Sequence, residues 1–333
     1  MTLRQQLDLC AHHDAEYGHN LASHLPMALV ALARLGADDQ RLTDFAERYA
    51  TRLHSAPPAE PWPPGEAWKS RFGDPRAWPA YRSLFNEWLD HEGAPSVLVQ
   101  ALPPLLHGVG AAAFHGPIRV AYALSAGHSH ELADALAYWA CRWFALGATP
   151  AAGRERDPAA VLARLNIAKP QRPLIAERMA LVAEQPAFGH IASTFRIDPD
   201  TTLAKLASLA ARLYAASANF TVLHLVTSAH ALRVLLPWLD ADERADAVGQ
   251  YWLAFAAGHA ASGLARSATA TTPVALHPWP EIVVQAIASD DDHFIKLVDS
   301  CQEQERAYGG ELWREAASRA LQTASKTASG SCA

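Results

Sequence analysis

Apolar residues along this chain recur at helical spacing, and almost nowhere do they alternate with period two. In 201–217, Leu203, Leu206, Leu209, Ala210 and Leu213 mark one face of a helix. The stretch 26–35 predicts a helix closed by Gly36, and 220–236 a long apolar helix stopped by Pro237. Further helices are expected at 2–17, 40–54, 76–91, 94–106 and 117–126. Another is expected from a Ser129 cap to about residue 146, with Gly147 near its end. After a polar loop at 148–157, the pattern resumes at 158–166, 171–184, 241–265 and 279–288. The last helix, 290–324, is expected to break near Gly309-Gly310, and 325–333 reads as a small, polar, disordered tail.

One segment fits no regular element. Residues 55–65 hold five prolines, and Trp62, Trp68 and Trp78 follow in or close behind them. Aromatics this large predict a loop near 55–80 packed onto the body, not a free linker. The expected architecture is therefore all-α, one large multi-helix domain over 1–324.

Composition narrows the function classes. Of 333 residues, 50% are hydrophobic and 19% charged, and the net charge is −6. No basic stripe appears, which argues against nucleic-acid binding. The four cysteines lie far apart without a CxxC pair, so neither a disulfide framework nor a zinc-thiolate site is expected. No apolar leader opens the chain, and no uncharged apolar run suggests a membrane span; a cytoplasmic protein is the expectation.

Against this background a few residues stand out. His24-Leu25-Pro26 and His115-Gly116-Pro117 each place a histidine two residues before a proline able to start a buried helix. His224 lies in the apolar run Phe220–His230, and His293 and Lys296 share a helix face three residues apart. For that last helix, Ser289 or Asp290 is the expected cap. A lysine aimed into a core must be neutralised or paired, and reaction with CO2 to a carbamate is one route; a snorkelling lysine is the plainer one. Each histidine alone reads as a hydrogen-bonded core residue. Together they predict a metal centre of His24, His115, His224, His293 and Lys296, with His230, about 120° round the helix from His224, outside it. Arg119, Tyr122 and Trp139 are candidates to line a pocket. Arg119 and Tyr122 are the catalytic candidates, with core packing the competing reading for Tyr122 and Trp139.

Other patterns carry less. Gly108-Val109-Gly110-Ala111-Ala112-Ala113 satisfies GxGxxA, but no strand precedes it and no acidic residue follows at the required distance, so helix packing is the better reading. NADPH or flavin is not supported by any signature. His12-His13 and His128-Ser129-His130 read as solvated histidines near helix ends.

Four segments resemble the questin oxidase-like family: Asn20–Ala28, Phe114–Tyr122, His224–Ser228 and Asp292–Leu297. They span nearly the whole chain in order. The resemblance implies oxygen insertion that opens a quinone ring of fungal anthraquinones such as questin. It also implies non-haem iron (Fe2+) held by His24, His115, His224, His293 and a carboxylated Lys296. Five such ligands would leave one octahedral position open. The chain departs from the family pattern at Arg119, where fungal members tend to have a second histidine, and at Leu225, where they usually have glycine. The departures are expected to alter the pocket's polarity and space, and so the substrate more than the metal.

The leading expectation is an oxidoreductase, a non-haem iron oxygenase taking O2 and a small polycyclic aromatic ketone or quinone of polyketide type. A metal-dependent hydrolase with a carboxylated lysine is a second class; it would also want an aspartate, and none is expected from these motifs. A non-catalytic helical binding module is a third.

Overall fold

The computed structural model describes residues 1–147, 153–264 and 274–330. Among these, the fold is all-α, a single domain of 15 helices with one tiny two-stranded sheet. The N-terminal helix α1 (Leu3–Cys10) carries a capping box from Thr2 and Gln5. It stops well short of the expected residue 17. The chain turns instead through Gly18 and Asn20, both with left-handed φ, into the hairpin β1 (Glu16–Tyr17) and β2 (Leu21–Ala22).

Helix α2 (Leu25–Leu35) is apolar nearly all round and buried nearly all round. Gly36, at φ 98°, closes it as expected. Helix α3 (Asp39–Ala50) follows. The Pro-rich loop then packs onto the body: Trp62 sits 4.7 Å from Tyr81, and Trp68 sits 5.8 Å from Phe85. Helix α4 (Trp78–Leu106) is bent at Gly93 (φ 77°), where two separate helices were expected.

Helices α5 (His115–Ala126) and α6 (Ser129–Cys141) pack on each other, and α6 also packs on α4. The cap of α6 is His128, not Ser129: its ring accepts from the Glu131 amide. The helix ends at Cys141 rather than 146, because Arg142 turns to Glu16 and Trp143 lies against Gly108, donating to Pro104 O. Three short helices come next, α7 (Pro158–Leu162), α8 (Ile175–Ala183) and α9 (Pro186–Ala192). The sequence pattern did not separate α9 from its surroundings. Residues 148–152 of the expected polar loop lie outside the described residues.

Helices α10 (Thr202–Ser217), α11 (Phe220–Leu235) and α12 (Ala241–Ser262) form the middle of the core. Helix α11 packs against α5, α10, α12 and the later α14. The segment Phe220–Trp238 is long and apolar enough to cross a membrane, but 72% of that window is buried inside the fold. It is apolar all round because protein surrounds it. Helices α13 (Trp279–Ala288), α14 (Asp292–Tyr308) and α15 (Leu312–Gly330) complete the chain, with the expected break at Gly309-Gly310. Helix α15 continues past residue 324, where a tail was expected to begin; residues 331–333 lie outside the described residues.

Candidate metal centre

Four helices bring their N-terminal ends together. His24 is the cap residue of α2, His115 the first residue of α5 and His293 the second of α14; His224 lies one turn into α11. The two prolines thus fall inside the first turns, Pro26 second and Pro117 third, rather than at the starts expected. The imidazoles close a ring. Centroids are 4.5 Å apart for His24–His115, 5.0 Å for His115–His224, 5.4 Å for His224–His293 and 4.5 Å for His293–His24.

Hydrogen bonds decide which nitrogens face the gap. A carbonyl can only accept, so the ring proton of His115 is on Nδ1, donated to Ala112 O at 2.5 Å. The same reasoning puts the proton of His224 on Nδ1, donated to Phe220 O at 2.9 Å. Each Nε2 is then a bare lone pair. His115 Nε2 is buried with no hydrogen-bond partner. Such an orphaned acceptor is costly unless something binds it, and a metal ion fits it.

His24, His115 and His293 can each offer a ring nitrogen so that all three lie within 4.8 Å of one another. Metal–nitrogen bonds of about 2.1 Å hold their nitrogens roughly 3 to 4 Å apart, so a small contraction closes the group. His224 is not in this trio; its ring centroid lies 5.0 Å from His115 and 5.4 Å from His293.

The charge state suits ligands. Burial, reinforced by Lys296, pushes the His24 imidazole down to about 3. Burial and the neighbouring imidazoles push His115 and His224 well below the usual histidine range. Lys296 is buried, with its Nζ 2.9 Å from His24 Nδ1. Burial lowers its amine to about 8, against the pull of Asp292 and Asp291.

One member of the cluster was missed. Asp292, 6% exposed, places Oδ1 2.6 Å from His24 Nδ1 and 2.7 Å from His293 Nδ1. Burial acts to raise its carboxyl, but the two imidazoles outweigh it and hold the group well below the usual carboxylate range. The motifs do therefore bring an aspartate to the centre. Its signal is the run Asp290-Asp291-Asp292. Asp291 caps α14, correcting Ser289 or Asp290, and Asp290 pairs with Arg41 and Arg48. Asp292, the first residue of α14, is the member of the run that turns inward and is buried.

The four histidines line a cavity of about 510 Å³. Its walls are mostly apolar, including Trp143, Phe144, Leu174 and Ile175. Phe220, 55% exposed, stands over the imidazoles, with its ring 5.1 Å from His224 and 4.7 Å from His293. In the sequence Phe220 is marked only as the start of an apolar helix.

Arg119 and Tyr122 are not among the lining residues. Arg119 is spent on a bidentate buried pair with Glu131, at 2.6 and 2.9 Å. Tyr122 donates to Asp299 Oδ2 at 3.0 Å and also reaches Lys296 O. Trp139 is fully buried and donates to Gly108 O, and it does not line the cavity either. His230 is turned away, 6.5 Å from the Tyr122 ring, and accepts from Arg233.

Over residues 19–301, most of its length, the chain matches the Questin oxidase-like family. It belongs to that family. No protein among the curated ones matches it. Membership in the Questin oxidase-like family makes the chain an oxidoreductase of oxygenase type. The two departures from the family pattern do not act as expected. Arg119 is locked to Glu131, and Leu225 packs towards α12, where a Cβ on Gly258 would meet its Cδ2 at 2.9 Å. Neither residue touches the cavity, so neither changes its polarity or its space directly.

Proposed function

We propose that this protein is a non-haem iron oxygenase acting on a flat polycyclic aromatic ketone or quinone. The observation carrying this reading is the ring of four imidazoles, three buried and His293 half-buried, that lines a largely apolar cavity. In this reading His24, His115, His224 and His293 hold the iron, with Lys296 as a carbamate. The lysine's free amine takes up CO2 and releases one proton, giving an anionic oxygen donor. When bound, Fe2+ supplies redox chemistry with O2 beside the substrate.

The chain's own residues do the rest. A cavity of about 510 Å³ lies within the range of small-molecule sites, and its apolar walls favour an aromatic guest over water. Phe220, which lines the cavity beside His293, offers an aromatic surface for a planar substrate to pack against. The Nδ1 bonds of His115 and His224 hold their lone pairs in place before any ion arrives. Arg119 and Tyr122 become supports of α5 and α14, not groups that touch substrate.

Asp292 favours a second reading, a two-metal hydrolase, since it is the aspartate such a site wants. Its Oδ1, however, already faces two imidazoles. Aerobic loading with metal analysis separates the readings. The oxygenase binds one Fe(II) per chain and consumes O2 only with an aromatic ketone present. Two zinc ions and indifference to O2 would replace it with the hydrolase; no tight transition-metal binding would leave a binding module.

A further inference from the structure

We infer that Asp292 is a positioning residue whose single Oδ1 fixes the ring protons of both His24 and His293 on Nδ1. The other two histidines find their acceptors in the main chain. His224, inside a helix, donates to the carbonyl four residues back, and His115 to the one three residues back. His115, also at a helix start, is served by the left-handed turn Ala112–Phe114, which brings a carbonyl to it. His24 and His293 sit at helix starts with no such turn before them. The carbonyl four residues before His293 is Ser289 O, already taken by Arg41. The main chain in register behind His24 is the hairpin turn at Asn20. Asp292 supplies the absent acceptor to both rings.

Two heteroatoms 2.6 Å apart need a proton between them, and the His24 Nδ1–H donates it to Asp292 Oδ1. Lys296 Nζ also lies 2.9 Å from this nitrogen, but an Nδ1 that carries a proton cannot accept from it, so the shorter contact to the carboxylate decides the tautomer. The same oxygen lies 2.7 Å from His293 Nδ1. Asp291 is no competitor: it stands 4.0 Å from His293 Nδ1 and is engaged in capping α14. With the protons on Nδ1, both Nε2 atoms are lone pairs. The cluster then holds two kinds of imidazole, a pair backed by an anion and a pair backed by neutral carbonyls. Anion-backed rings are the stronger donors. The tautomer part of this inference stands without the metal; the donor-strength part rests on the reading above.

The test uses the full-length chain without metal, with long-range 15N–1H spectra of the histidine rings, followed by anaerobic Fe(II) titration. The wild type is expected to show His24 and His293 as Nδ1–H tautomers. Asp292→Ala is expected to give mixed tautomers at both rings, with Fe(II) binding weakened roughly 10- to 100-fold. Asp292→Asn keeps an acceptor of the same shape; it should keep the tautomers with a smaller loss of affinity, and it preserves the test if the alanine variant fails to fold. Unchanged tautomers in Asp292→Ala overturn the inference. So does complete loss of Fe(II) in Asp292→Asn with tautomers intact, which would make Asp292 a direct ligand. If the wild type binds no Fe(II) yet the tautomers shift in Asp292→Ala, the positioning role holds and the oxygenase reading falls.

Discussion

His224 and His230 share α11 and are equally hidden, yet only His224 reaches the cluster. Six helical residues separate them, so their side chains leave the axis about 120° apart. His224→Ala should abolish metal retention while leaving most of the helicity, measured by elemental analysis beside far-UV circular dichroism. His230→Ala should keep the metal. Retention by His224→Ala would remove His224 from the ligand set. Lys296→Ala should lose oxygenase activity and regain part of it with added short carboxylates, which replace the carbamate oxygen. Metal binding and turnover indifferent to loss of Lys296 would remove the carbamate. These residues were legible because an imidazole or amine inside an apolar run breaks its pattern. Asp292 was not, because an acid at a helix start fits the cap and the dipole so well that it asks for no further reason.

Helix ends, more than helix middles, build the site. The residues before α5 show why ends resist sequence reading. Ala112, Ala113 and Phe114 all have left-handed φ, at 47°, 57° and 72°, a conformation costing roughly 1–2 kcal/mol per residue. The surrounding packing holds this segment, with Phe114 fully buried, and it delivers the carbonyl of Ala112 to His115. Nothing in Ala-Ala-Phe announces that geometry. The glycines beside it are better read as packing, since Gly116 lies against Trp139 with room for no Cβ: one would stand 2.8 Å from the indole Cγ. Trp139 is fully buried and bonded to Gly108 O, so it cannot give way. Gly116→Ala should therefore destabilise the chain by about 1–3 kcal/mol in urea unfolding. It should also displace His115 and weaken metal binding; an unchanged midpoint would mean that the α5–α6 contact is looser than described.

Across the whole molecule, many imidazoles are buried neutral. His24 and His230 are pushed to about 3 and His259 to about 4, in each case chiefly by burial. His115 and His224 are also lowered. The unfolded chain binds these protons near pH 6.5, so below that it takes up more protons than the folded one. Their contribution to stability is complete above about pH 6.5 and is lost as pH falls towards about 4 for His259 and about 3 for His24 and His230. Asp299, raised to about 6 by burial, and Glu131, also raised by burial, act in the opposite sense above their unfolded values, but they are two groups against five. The urea midpoint of the metal-free protein should fall markedly between pH 7 and 5; a flat or rising midpoint would refute the buried-neutral account. The helical class, the packed Trp loop and the identity of the histidines and lysine were all in the sequence, because period, composition and local contrast are one-dimensional properties. Which side chains share a cavity was not. The removal of Arg119 and Tyr122 from it, the arrival of Phe220, and the meeting of Asp292 with His24, 268 residues away along the chain, depended on helix packing.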